Sequence, residues 1–520
     1  MAQPLQNINI AAPAFAGINT EDSPLQTGDV FGEIADNCVI DRYGRIGARR
    51  GFADVTTDKT AYASNAVEQI AEHVPFVGST PAMFSFANNK VFQGEAVPAD
   101  ITPAGHAGIT GNDWDHGQVA KWSMFAQDGH EMLFYDEAAD TMYEHSHATI
   151  SGGLTTFPQG NVCVGAYGRC WTYERSSVDN KGYLYFSDLL IPYDFNGGSS
   201  GSFILDNVWP NGNDDVIGMA AHNGFMILFG RRQILVYGGM DDLPGTNGSL
   251  VDTVSGIGCI QRDSVVSTGD DIIWLDSEGV RSFGRTIQEK SLPIGDISAN
   301  VRSDIRQAIV DSEAVGNKYG AAAYSQATGF YMITFPDLGY IYVFSMSRGP
   351  LENGAYRTTR WTGLQTVKAI TFTSDDRTLV GTDTSSIAHY TEYSDWGEEY
   401  TMRYYSNPLD FDQPSTWKIP KQVDVTIIGG AGMTFRLLWA FDFLTNYRKR
   451  LFEIGGSSVG QYNISEYNLG AEYTEGVAIR TQHINVGGKG RYMSVALEGD
   501  VTGPISIQEL NIQTLIGRIR

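Results

Sequence analysis

Residues 269–271 read Gly-Asp-Asp and residues 276–279 read Asp-Ser-Glu-Gly, two acidic clusters around the apolar run 272–275. Paired carboxylates on a glycine turn are what a metal-dependent phosphoryl-transfer site sets against divalent ions. That chemistry needs a further carboxylate strand, a helical palm and basic nucleic-acid channels, and the flanking sequence offers none of them. A calcium loop spreads oxygen ligands over twelve residues and ends on a bidentate Glu. Here Asp276, Ser277 and Glu278 are followed by the basic Arg281 and Arg285. The expectation is two solvated β-turns, with Gly-Asp-Asp joining a strand that ends at Val266-Ser267 to 272–275, and 276–279 turning that strand into 280–283.

The same stretch approaches the Asp-box of sialidase propellers, but Gly269 and Asp270 follow Ser267 in inverted order. A sialidase also needs an arginine cluster and a Tyr/Glu pair converging on one pocket, which the sequence does not indicate. His145 and His147 have the spacing of two ligands on one strand face, with Asp136, Glu137, Asp140 and Glu144 nearby. With nine histidines and no second pair, a surface loop is expected there. Trp122, Trp171, Trp274 and Trp361 could stack sugars, although at strand positions they read as packing residues. No G-x-S-x-G, H-E-x-x-H or phosphate-binding loop is found. No catalytic, cofactor-binding or metal residue is therefore assigned, and no enzyme is expected.

The elements that carry these residues recur. Units of two or three apolar strands separated by Gly, Asn or Asp turns begin near residues 74, 122, 162, 216, 265, 320 and 369. Meanders repeating at roughly 40–50 residues predict a β-propeller, of six or seven irregular blades. One segment departs from this pattern. Ile297, Val301, Ile305 and Ile309 recur every four positions, which predicts an amphipathic helix capped by Asp296 and packed on one rim. From Glu398 onward longer strands alternate with period two, as in Ile505, Ile507 and Leu510, predicting a β-sandwich-like sheet with one wet face. The expected organisation is a segment 1–60 contributing to a platform, a propeller over 61–395 and a β-rich platform domain over 396–520.

Composition agrees with an all-β chain. Of 520 residues, 59 are Gly, 26 Tyr and 25 Phe, while only 18% are charged. That profile favours short strands and tight turns. The net charge is −24, and residues 395–520, with 12 Lys/Arg against 14 Asp/Glu, carry only −2 of it, leaving −22 on residues 1–394. Such a field repels nucleic-acid phosphates. The exceptions are Arg42, Arg45, Arg49 and Arg50, Arg448-Lys449-Arg450, and the terminal Arg518 and Arg520, which could meet an acidic partner or hold carboxylates at a seam. Cys38, Cys163, Cys170 and Cys259 form no CxxC pair and read as reduced core thiols. The first basic residue is Arg42, so no signal peptide is expected, and no apolar run approaches ~20 residues, so no membrane span is expected.

Three stretches resemble a known family. They are NCVIDRYGRIGARRGF (37–52), the pair DDVIGMAAHNGFMILFGRRQILVYGG and SVVSTGDDIIWLDSEGVRSFGR (214–239 and 264–285), and GKGRYMSVALEGDVTGPISIQELNIQTLIGRIR (488–520), together about a fifth of the chain. They are similar to the tail nozzle proteins of short-tailed bacteriophages, the tail tubular protein B and packaged-DNA stabilisation group. The resemblance implies a homohexameric ring at the distal end of a virion tail, made in the host cytoplasm. Each chain would join a propeller to platform domains built from both chain ends. The ring would dock below an adaptor on the portal, anchor fibres or spikes, and line an exit channel that DNA passes without specific binding. No catalytic motif is shared by that family, so no functional residue carries over. The alternative is a propeller that binds glycans or cleaves them as a sialidase does.

Overall fold

The computed structural model describes residues 5–76, 80–103, 111–151, 157–243, 248–284, 296–315, 320–364, 366–455 and 479–517. Strands make up 49% of the described residues and helix 7%, most of the strands lying in small antiparallel sheets, a propeller-like all-β architecture. The local reason is legible at His222–Phe225, where Asn223 (φ 49°) and Gly224 (φ 80°) make a two-residue hairpin loop. Both central residues of such a loop need positive φ, and Asn-Gly accepts it at low cost. The flanking strand Phe225–Gly230 is buried over its last five residues and Phe330–Phe335 throughout, as strands covered on both faces must be.

The small sheets follow chain order. The first comprises Gln69–His73, Ala82–Ala87, Lys90–Gln93 and Ala99–Asp100, and the second Asp115–Val119, Trp122–Ala126, Leu133–Asp136 and Thr141–Glu144. The third holds Val162–Ala166, Arg169–Arg175, Gly182–Phe186 and Gly201–Ile204, and the fourth Val216–His222, Phe225–Gly230, Gln233–Gly238 and Ser249–Ser255. The fifth has three strands, Val266–Ser267, Ile272–Asp276 and Gly279–Ser282. The sixth set is Ala322–Ser325, Phe330–Phe335, Tyr340–Ser345 and Arg357–Trp361. In the last sheet Val367–Phe372, Thr378–Thr382 and Ile387–Tyr390 are joined by Phe52–Asp54 from far upstream. Each sequence repeat thus coincides with one small sheet, except the sixth, whose four strands are part of a larger one.

Consecutive sheets are glued by separate apolar clusters. Phe84 and Phe86 meet Phe125 and Leu133, Trp171 and Leu184 meet Leu228 and Leu235, and Phe229 meets Trp274. The circuit closes where Ile70, Met83 and Phe92 of the first sheet pack on Ala369, Leu379 and Ile387 of the last. The first strands of the second and third sheets approach closely: a Cβ on Gly165 would run into the backbone carbonyl of Gln118.

The predicted helix exists as Arg302–Val315, preceded by a 3-10 turn at Ala299–Val301, and Ile297, Val301, Ile305 and Ile309 are all buried. It is not capped by Asp296. That carboxylate instead accepts from Arg302 Nε at 3.0 Å and Nη2 at 2.9 Å. Ahead of the helix, Ile297 N–H donates to the Val280 carbonyl (3.1 Å) and Ser298 Oγ accepts from Val280 N–H (2.9 Å), so residues 297–298 cover the edge that a fourth strand would take in the three-stranded sheet.

Both chain ends enter the remaining sheets. A six-stranded sheet orders Ile479–Asn485, Trp417–Gly429, Ile505–Gly517, Ile46–Ala48 and Cys38–Ile40, with Leu5–Ala11 also on Ile505–Gly517. The sixth small sheet continues past Arg357–Trp361 through Gly17–Ile18, Phe31–Asp36, Tyr400–Ser406, Met493–Val501, Thr434–Phe441 and Arg448–Glu453, making ten strands in all. Among the described residues no helix is long and apolar enough to cross a membrane.

Candidate functional site

The acidic stretch folds as the two hairpin turns that its pattern predicts, but its carboxylates differ in role. Asp270 is exposed. Asp271 Oδ1 accepts from the N–H groups of Ile272 and Gly284 at 2.8 Å each, ordinary turn chemistry. Asp276 departs from the expectation of a solvated turn. It is buried and accepts at 2.7 Å from Nε of Arg281, itself buried, because Asp276 shares a strand face with Trp274, whose cross-strand partner is Arg281. Arg285 lies outside the described residues.

The histidine pair separates. His147 is exposed, but His145 is fully buried against Phe134 and Phe195 and donates from Nε2 to the Tyr193 carbonyl at 2.6 Å. The expected surface loop is therefore wrong for His145: the phenylalanines around it supply the burial, which pushes its pKa down to about 4. The neighbouring carboxylates disperse, Asp136 to Lys121 (3.1 Å), Asp140 to Tyr135 (2.7 Å) and Glu137 to the Phe76 N–H (2.8 Å). Among the described residues no three His, Cys, Asp or Glu side chains gather as a metal site. The four tryptophans are buried, and Trp171, Trp274 and Trp361 donate to the carbonyls of Ala166, Gly258 and Cys38, so these rings pack and offer no sugar platform. The four cysteines are buried and unpaired, and burial raises every thiol pKa.

Of the N-terminal arginines, Arg45 pairs with Asp41 at 2.8 Å and Arg49 is wholly buried. Arg49 Nη1 donates to Asp395 Oδ1 (2.8 Å), with a second close contact from Nη2, and Nε donates to Asn37 (3.0 Å). The guanidinium also lies 4.1 Å from the Tyr400 ring centroid. Arg448 and Arg450 donate to the carbonyls of Gly487 and Asn485. Arg518 and Arg520 lie outside the described residues.

Two polar networks between the small sheets carry no sequence signature. His73 Nδ1 and His116 Nε2 lie 2.8 Å and 3.2 Å from Ser123 Oγ, and His73 Nε2 lies 3.4 Å from Glu137. The residue types are those of an activated serine. Ser123 is 0% exposed, however, so no substrate reaches the hydroxyl, and the network ties the first sheet to the second. Burial depresses both imidazoles, His116 to about 4.

The second network centres on Arg262, just ahead of the fifth sheet. Its guanidinium pairs with Asp113 (2.7 Å), Asp263 (2.8 Å) and Asp115 (3.8 Å) and donates to the Asn161 carbonyl (3.3 Å). Asp115 also accepts from Cys163 N–H at 2.7 Å, and burial lifts its pKa to about 6 against the pull of Arg262. From the turn ahead of the fifth sheet Arg262 thus reaches residues at the starts of the second and third sheets. Sequence spacing has no means of announcing this: the partners are 149 residues apart.

No family model matches the chain, and no curated protein matches it in sequence. The solved structure of U3-55K aligns with a TM-score of 0.40 at 9% identity, covering 65% of this chain and 98% of that one. The crystal structure of the computationally designed Ika8 protein aligns with a TM-score of 0.34 at 10% identity, covering 63% and 96%.

Proposed function

We propose that this chain is a structural, non-enzymatic virion protein that forms the nozzle ring of a short phage tail. The observation that carries the reading is the joint use of both chain ends. Residues 5–48 and 400–517 interleave in two sheets, one of which is continuous with a propeller sheet. This is the platform arrangement that the three resembling stretches imply. In this reading the repeated sheets are seven blades, the last closed by Phe52–Asp54, and the two large sheets form the sandwich-like platform. In this reading DNA runs along the ring axis between copies. The −24 charge supports passage without adhesion, since a field of that sign raises the free energy of phosphate at the wall.

Negative-stain microscopy and light scattering of the purified full-length chain, alone and with its tail adaptor, test the reading. Sixfold rings that stack on the adaptor are expected, with no retention of duplex DNA at low salt. A chain that stays monomeric with the adaptor overturns it, as does hydrolysis of sialosides or saturable binding on a glycan array.

A further inference from the structure

We infer that the seam between the first and second sheets is a proton-operated clasp, closed while His73 and His116 hold at most one extra proton and released when both are charged. The inference stands independently of the nozzle reading.

One hydroxyl joins two imidazoles from two sheets. His73 ends the first strand of the first sheet and His116 lies in the first strand of the second. Between them Ser123 Oγ is 2.8 Å from His73 Nδ1 and 3.2 Å from His116 Nε2. Proton counting fixes the resting arrangement. The Glu137 carboxylate only accepts, so His73 carries its hydrogen on Nε2, which faces Glu137 at 3.4 Å. Its Nδ1 is then bare and takes the single hydrogen of Ser123, while His116 donates from Nε2 to a serine lone pair. The shared atoms are satisfied with both rings neutral.

One added proton is absorbed. His73 then donates from both nitrogens and forms an ion pair with Glu137, and Ser123 turns its hydrogen to His116, whose own moves to Nδ1. A second proton has no such arrangement. Both rings then aim N–H at Ser123 Oγ, and the hydroxyl hydrogen loses its acceptor in a site that is 0% exposed. Two cations also lie within 3.2 Å of one oxygen. The other charged groups nearby are engaged elsewhere. Asp115 is turned to Arg262 and the Cys163 N–H, and Asp136 is held by Lys121. The Tyr135 ring, 5.3 Å from that of His73, is tied by its hydroxyl to Asp140. On the first sheet Glu72 accepts from Ser374, and in the last sheet, packed on the first, Lys368 pairs with Asp337.

The same side chains strap the loop after His73 to the second sheet. Phe76 N–H donates to Glu137 at 2.8 Å. Gln118, on the strand of His116, accepts from Val74 N–H (3.0 Å) and donates to the Val74 carbonyl (2.6 Å). Release therefore frees residues 74–76 and bares the apolar seam of Phe84, Phe86, Phe125 and Leu133. Burial holds both imidazoles below their ordinary pKa of 6.5, so the clasp is complete above pH 6.5 and is lost as pH falls. Opening takes up as many as two protons. Its equilibrium constant rises by up to about 100-fold per pH unit, and by about tenfold where one imidazole is left.

Amide hydrogen exchange of the full-length chain between pH 7 and about 4.5, corrected for intrinsic exchange rates, reads this opening. Protection in peptides covering 69–76 and 116–126 is expected to fall well ahead of that in the fourth sheet, 216–238. His116→Gln and His73→Gln, neutral at every pH, are each expected to cut the pH dependence of the seam peptides to about tenfold per unit, leaving the fourth sheet as in the parent. Seam peptides that follow the fourth sheet at every pH overturn the clasp. So does the parent's pH dependence retained in whichever glutamine variant folds.

Discussion

Arg49 offers the sharpest test of how the two ends of the chain are held together. Replacing it with Met leaves the aliphatic volume and removes the only cation bonded to Asp395 among the described residues; the Asp395 side chain is 9% exposed. It also strips donors from Asn37 Oδ1 and the Arg50 carbonyl, and the cation from the Tyr400 ring. Breaking a buried pair from one side costs about 3–5 kcal/mol, because a desolvated carboxylate is stranded. If all 520 residues unfold as one unit, the unfolding entropy is about 1.1 kcal/mol/K, so the expected fall in Tm is about 3–5 °C. Removing both charges, as Arg49→Met with Asp395→Leu, should recover at least half of that loss, since no charge is then left buried alone. Urea unfolding followed by tryptophan fluorescence, with calorimetry on the same samples, measures both. A single variant within about 1 kcal/mol of the parent, or a double variant no better than the single, refutes the argument that this ion pair anchors the seam.

The acidic stretch divides cleanly: Asp270→Ala should shift the urea midpoint by less than about 0.5 kcal/mol, whereas Asp276→Ala, which strands the buried Arg281, should cost about 3 kcal/mol or more. Acid weakens the protein through His145, whose folded pKa of about 4 lies below its unfolded value of 6.5. Its contribution is complete above pH 6.5 and is lost as pH falls toward 4, about 2–3 kcal/mol between pH 7 and 4.5, and His145→Phe should reduce that slope in urea titrations across the range. Gly165→Ala forces a methyl into the Gln118 carbonyl and should cost about 1–3 kcal/mol, read as a lower Tm or as loss of soluble protein.

Period and turn chemistry determined much of this protein before any coordinates. Apolar runs ended by Asn-Gly or Gly-Asp-Asp place each small sheet, because strand, turn and strand are neighbours in sequence and their signals are local. The four-residue recurrence of Ile297, Val301, Ile305 and Ile309 likewise exposes the only long helix of the described residues. Tertiary structure alone decided what the charged side chains do. Asp276 turned inward to Arg281, Asp296 left the helix cap for Arg302, and His145 became a buried brace for the 188–194 turn. Arg49 and Arg262 found partners 346 and 149 residues away. A hydrogen bond or ion pair depends on distance and desolvation, and both are set by strands that meet only when the circuit of sheets closes.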